Sequence, residues 1–308
     1  MTGGVLLAAY AVAAGFGAPA ALCRSWARRA PRAAMTLWLM LAVSWLVAVP
    51  LAALALAVPS SLTWQASGGQ APGVLSRTPS GMLAAAAGML LAVAIAGRAC
   101  WHLARGLAAE RRGHRTHAAF LAAAGRSDPA MGAVIIDDDA PAAYCLPSGR
   151  RQVVVVSAGT LARLTPGQVQ AVLAHERAHL RGRHHLILAA AASLARAFPA
   201  VPLLTGATAE FAVLAELTAD DAATRRHDPA DLAAALVTLA GAATGSTALA
   251  AGGPAAVARI QRLLSRPPSS ALPARTARMT ACAAAFILPA AVTFLPLALT
   301  ACGIITRA

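Results

Sequence analysis

The sequence predicts a mainly α-helical, polytopic membrane protein, with about four transmembrane helices and a cytoplasmic α+β domain built on a small β-sheet. Three observations carry that expectation. Of the 308 residues, 58% are hydrophobic and only 12% are charged, whereas soluble domains carry about 25% charged residues. Four apolar stretches, Gly4–Leu22, Met35–Val58, Met82–Ala99 and Ala281–Ile304, match the roughly 20 residues that a helix needs to cross a bilayer core. Between the third and fourth stretches the composition turns mixed, with valine runs and a capped helical pattern. The organisation expected is a transmembrane region over 1–104, a domain over 105–270 and a C-terminal membrane helix over 271–308.

The spans take their orientation from arginine. The chain has 26 Lys+Arg against 12 Asp+Glu, every one of the basic residues is arginine, and the pI is about 11.5. These arginines are scattered and aromatic residues make up only 4%, which argues against a nucleic-acid surface. They fit the cytoplasmic flanks of spans. Arg24, Arg28, Arg29 and Arg32 follow the first span, Arg98, Arg105, Arg111, Arg112 and Arg115 follow the third, and Arg266, Arg275 and Arg278 precede the fourth. The loop after the second span holds only Arg77. Both termini are therefore expected outside a plasma membrane, with the 105–270 domain in the cytoplasm and lipid as a partner. No basic residue precedes the first span, so it does not read as a cleavable signal. Gly81, Gly88 and Gly97 in or beside the third span allow close helix packing. Cys23, Cys100, Cys145, Cys282 and Cys302 show no CxxC spacing, hence neither a disulfide framework nor a thiolate metal site.

Within the middle domain, residues 105–125 read as a basic helix leaving the membrane. Residues 132–139 and 151–161 read as two short strands, joined by a loop containing Pro141 and "LPSGR". A helix is then expected over 166–181. Thr165 suits the N-cap, Pro166 the first helical position and Gln168 the third, completing a capping box, and Gly182 is a plausible stop. The apolar stretch 186–204 is long enough to span. Arg196 near its middle favours an interfacial or re-entrant path instead, turning at Phe198-Pro199.

The helix over 166–181 carries "HERAH". His175 and His179 are four apart and so project from one face, one turn apart. Two imidazoles so placed can hold one Zn²⁺, while Glu176, one step round the helix, can act on a water as general base. That is the HExxH arrangement of zinc peptidases. Two candidates exist for a third ligand. His175-Glu176-x-x-His179-x-x-Gly182-x-x-His185 matches the metzincin spacing, but the methionine turn which that pattern requires is missing. In "AELTADDAA", Glu216 and Asp220 share a helix face, so that Glu216 could ligate and Asp220 could accept the Nδ1 proton of a liganding histidine. A single crossing by 186–204 would separate Glu216 from the histidines, so the zinc reading requires that stretch not to cross. His184, His185 and His227 read as flanking residues, with nothing to single out one of them as an oxyanion stabiliser.

The segment "AYCLPSGRRQVVVVSAGTLARLTPGQVQAVLAHERAHLRGRHH", with "AELTADDAA" and "ARIQRLL" downstream, resembles the membrane-integral zinc peptidases of the BlaR/MecR antibiotic-sensor type. It is similar, more distantly, to HtpX-like and CAAX-prenyl proteases of the gluzincin group. The resemblance covers about residues 130–265 and implies a zincin-like catalytic domain with one Zn²⁺ per chain. It implies His175, His179 and Glu216 as ligands, Glu176 as general base and Asp220 behind the ligands. It also implies that Val153, Val154, Val155 and Val156 form the edge along which a substrate peptide lies by strand addition. Antibiotic sensors continue into an extracellular penicillin-binding domain, whereas this sequence reads only to "GIITRA", so β-lactam sensing by that route is not expected. The substrate class is a peptide or protein, with a winged-helix repressor as the example the resemblance supplies. The competing classes are a catalytically silent membrane signalling or binding protein that keeps the zinc site, and a structural or transport protein of the bilayer. Transporters place polar groups inside their spans, and these spans hold almost none.

Overall fold

The computed structural model describes residues 2–23, 25–57, 79–148, 151–242 and 248–265. The chain forms two compact units. The first comprises residues 1–104, 193–207 and 271–308, and the second 105–192 and 208–270. The expected fourth span, Ala281–Ile304, lies outside the described residues.

In the first unit, α1 (Thr2–Val12) continues through a π-helical turn (Ala13–Gly17) into α2 (Ala18–Leu22). The short α3 (Ser25–Arg29), α4 (Pro31–Ala57) and the start of α5 (Pro79–Ala124) follow. Among the described residues, three stretches are long and apolar enough to cross a membrane: Gly4–Leu22, Pro31–Ala57 and Met82–Ala124. Many of their large side chains point outward, Leu83 being 72% and Leu90 70% exposed, as would suit helices solvated by lipid. The helices meet through small residues. Leu7 packs on Ala48 and Ala52, and a Cβ at Gly88 would lie 2.2 Å from the Ala57 Cβ. Gly88 thus provides the close approach that its residue type predicts, whereas a Cβ at Gly97 would meet nothing within 4 Å. The expected third span and the basic helix after it are one element, since α5 runs unbroken for 46 residues.

The second unit is built on a four-stranded sheet in the order β1-β2-β4-β3, formed by β1 (Gly125–Asp128), β2 (Ala133–Ile136), β3 (Ala143–Ser148) and β4 (Arg151–Ser157). β1 is too polar ("GRSD") to carry a hydrophobic strand signal. β3 occupies part of the expected loop. Pro147 is tolerated in it because β3 is an edge strand, where a missing N–H need not break a ladder on both sides. β4 is shorter than the expected 151–161. It ends at Ser157, whose Oγ accepts from Thr160 N at 3.1 Å and caps α6 (Ala158–Arg163). β4 is buried on both faces, which explains its uninterrupted valines. Val154 and Val156 pack with Val169, Val172 and Leu173 of α7 (Pro166–Arg181). Val153 and Val155 pack with Leu121 and Ala118 on the opposite face.

α7 has the predicted bounds for the predicted reason. Thr165 N donates to Gln168 Oε1 at 3.0 Å and Gln168 N to Thr165 Oγ1 at 3.4 Å, with Pro166 in the first turn. The later elements are α8 (His184–Ala197), α9 (Pro202–Ala223), α10 (Pro229–Ala242) and α11 (Ala248–Leu264). The apolar stretch 186–204 is therefore not one helix: it breaks at Phe198-Pro199, between α8 and α9.

Candidate metal centre

The site lies wholly within the second unit. α7 and α9 approach each other through Ala178, Ala219 and Ala222, so that side chains one turn away can meet. His175 Nε2 and His179 Nε2 stand 3.1 Å apart. Glu216 of α9 places Oε2 3.5 Å from His175 Nε2 and Oε1 3.4 Å from His179 Nε2. One ligand atom from each of the three lies within 4.8 Å of the others. With Glu216 this close to His175, a single membrane crossing between them is excluded. Asp220, fully buried, places Oδ1 3.0 Å from His175 Nδ1.

These separations test whether the residues fit a metal. A tetrahedral Zn²⁺ with bonds near 2.0–2.1 Å holds its ligand atoms about 3.3 Å apart. The three protein separations, 3.1, 3.4 and 3.5 Å, bracket that distance. Two ring nitrogens and a carboxylate oxygen are also the donor set that a borderline-soft cation takes. The residues fit.

Sequence reasoning assigned no role to Arg259 on α11, which clamps both carboxylates. Its Nη1 lies 2.7 Å from Glu216 Oε2, while Nε and Nη2 donate to Asp220 Oδ2 and Oδ1 at 2.9 and 2.7 Å. A buried aspartate needs a compensating cation, and that requirement was the signal available. Burial alone would raise both carboxyls. Contacts with His175 and Arg259 outweigh it, holding Glu216 and Asp220 at about 2. Burial pulls the proton off His179, aided by the His175 charge, to about 4. At His175 burial acts in the same sense, but Asp220 and Glu216 overcome it and raise the ring to about 9.

Glu176 is half-buried beside these groups. Desolvation, reinforced by the Glu216 charge, lifts it to about 7 against the pull of His175. It faces the thiol of Cys145, whose own pKa is pushed up to about 12 by burial and then by the Glu176 charge. Cys145 lies on β3, so the edge strand passes beside Glu176.

The expected substrate edge needs correction. Val153–Val156 belong to β4, which pairs with β3 along Val153–Val156 and with β2 along Val155–Ser157. An interior strand has its backbone groups engaged and cannot accept another strand; the free edge on this side is β3. The alternative third ligand, His185, stacks its ring 5.5 Å from that of His114 and does not join the cluster. His227 follows α9, its backbone N bonded to Ala223 O. His184 is 3% exposed and lies against His179.

No curated protein and no solved structure matches the chain. A family model does: Peptidase family M48, over residues 108–267. That segment begins within α5, takes in the sheet and runs past Arg259, so it contains every residue of the cluster. M48 is a metallopeptidase family, typically zinc-dependent. A match over more than half the chain, together with a His-His-Glu cluster built on HExxH, establishes that this protein belongs to Peptidase family M48.

Proposed function

We propose that the protein is a membrane-anchored zinc endopeptidase that cleaves cytoplasmic or membrane proteins. The observation that carries this reading is the convergence of His175 Nε2, His179 Nε2 and a Glu216 oxygen at zinc-ligand separations, with Glu176 beside them. His175, His179 and Glu216 would hold the cation and Asp220 would steady the His175 ring. Bound Zn²⁺ supplies Lewis acidity, polarising a carbonyl and bringing the pKa of water towards about 7.

The chain's own groups do the rest. Glu176 takes a proton from the attacking water on a carboxylate oxygen and hands it to the departing amine nitrogen. The exposed edge of β3 aligns the substrate by main-chain hydrogen bonding, and Cys145 on that strand brings the edge alongside Glu176. Arginine placement supports a cytoplasmic active site with both termini outside the plasma membrane. The likeness to antibiotic-sensor peptidases supports a repressor-type regulator as substrate, read as protein without direct nucleic-acid contact.

The test uses protein purified in detergent. One zinc per chain is expected, with proteolysis that chelation abolishes and zinc restores. Glu176→Gln should keep the metal and lose about 10²–10⁴-fold in kcat. Equal cleavage by both forms would remove the mechanism. A wild type that binds zinc and cleaves nothing would favour the silent binding protein, a reading with no observation in its favour beyond the site itself.

A further inference from the structure

The two ring ligands are backed differently. His175 has Asp220 behind it, while His179 Nδ1 lies 3.0 Å from the Nδ1 of His184, with ring centroids 4.8 Å apart and planes at 86°. From the geometry we infer that His184 is a positioning residue for His179, accepting its Nδ1–H so that Nε2 stays aimed into the Glu216 cluster. This inference rests on the metal reading above.

Direction follows from chemistry. A liganding His179 must present a lone pair at Nε2, so its proton sits on Nδ1. The contact is then a hydrogen bond from His179 Nδ1–H to His184 Nδ1, and the proton of His184 is on Nε2. The reverse arrangement would place a proton on His179 Nε2 and block ligation. Partners of this kind fix both the tautomer and the ring orientation of a metal-binding histidine.

Two features of the α7–α8 turn are accounted for by this contact. Gly182 has φ −75°, so no conformational need calls for glycine there. A Cβ at 182, however, would stand 2.4 Å from His184 Nε2 and 2.6 Å from its Cδ2, so glycine provides room for the ring. Arg183 has φ 49°, a left-handed conformation that non-glycine residues adopt at a cost. It is the single such residue among those described, and it immediately precedes His184. Room on one side and a strained backbone on the other together bring a buried imidazole back beneath the ligand.

The test measures zinc affinity of the full-length protein in detergent by chelator competition, with the visible bands of the Co²⁺-substituted protein as a second readout. His184→Phe keeps the ring volume but removes the acceptor, and should weaken zinc binding about 10–100-fold and shift the Co²⁺ bands. His184→Asn places an amide oxygen near the lost Nδ1 and should recover most of both. Gly182→Ala, which leaves His184 in the chain but displaces its ring, should also weaken binding. Wild-type affinity in His184→Phe, or equal losses in the Phe and Asn variants, would overturn the inference by showing no role or one of packing alone. His179→Ala is the control for the underlying reading. If it binds zinc as wild type does, or if wild type binds none, the metal site itself is lost and the role of His184 with it.

Discussion

The two units bury polar groups in opposite ways. In the first, polar side chains are satisfied by hydrogen bonds without a buried ion pair among the described residues: Trp38 Nε1 donates to Leu203 O at 2.8 Å, Trp45 Nε1 to Ala11 O at 3.1 Å, and Tyr10 bonds Ser44. Many of the other large apolar side chains of this unit, such as Leu83 and Leu90, are turned outward. The second unit buries formal charge. Asp220 is fully enclosed against Arg259 and the His175 ring, and the same arginine holds Glu216. Burying a charge costs several kcal/mol even when it is paired, so a fold that needed only stability would do as well with apolar side chains. The difference shows where the protein gives up stability for chemistry: the first unit presents apolar helices that suit a membrane, while the second holds an ionic cluster in one geometry.

The comparison is broken most sharply at Arg259. Arg259→Met removes the cation and leaves Asp220 buried with its charge poorly compensated, which should destabilise the second unit by about 3–5 kcal/mol. Thermal unfolding in detergent is the measurement, and a change under about 1 kcal/mol would mean the cluster is not electrostatically closed. In the first unit the vulnerable features are steric. Gly88→Ala drives a methyl into Ala57 and should cost about 1–3 kcal/mol, whereas Gly97→Ala meets nothing and should be neutral or stabilising by about 0.5–1 kcal/mol. If the two alanine variants behave alike, helix approach at Gly88 is not a constraint. A smaller effect is expected from Trp38→Phe, which keeps the ring buried and deletes one hydrogen bond, worth about 0.5–1.5 kcal/mol. An effect of similar size should come from Thr165→Ala. It removes one half of the α7 capping box for about 1 kcal/mol and should leave zinc stoichiometry at one, since the cap is two turns or more from His175.

Legibility in the sequence followed the range of the forces involved. α7 could be read to the residue because its start depends on Thr165, Pro166 and Gln168, three neighbours in the chain, and its paired histidines on helical periodicity alone. Gly88 was legible for a similar reason, as a small residue in an apolar span. β3 was missed because Pro147 signals a loop, and only its place at the sheet edge makes a proline acceptable there. The substrate edge was assigned to Val153–Val156 because a valine run looks like a strand; a run buried on both faces is just what an interior strand requires, and strand order is not written in either strand. The break at Phe198-Pro199 was anticipated from the proline and from the need to bring Glu216 back to the histidines. Arg259 and His184 escaped because each acts on a partner that the chain brings near only on folding, across 39 residues to Asp220 in one case and round a strained turn to His179 in the other.

What the sequence alone determined is the local chemistry: apolar helices suited to lipid, a capped helix with two imidazoles one turn apart and a carboxylate beside the first, and a carboxylate pair at helical spacing further on. Periodicity and capping act over three or four residues, so a linear text can hold them. Only the tertiary structure decided that Glu216 closes on His175 and His179 while His185 turns away, that β3 rather than β4 offers the free edge, and that an arginine and a further histidine support the cluster. Those outcomes depend on long-range packing and on the cost of leaving a buried charge or ring nitrogen without a partner, and they exist only once distant segments meet.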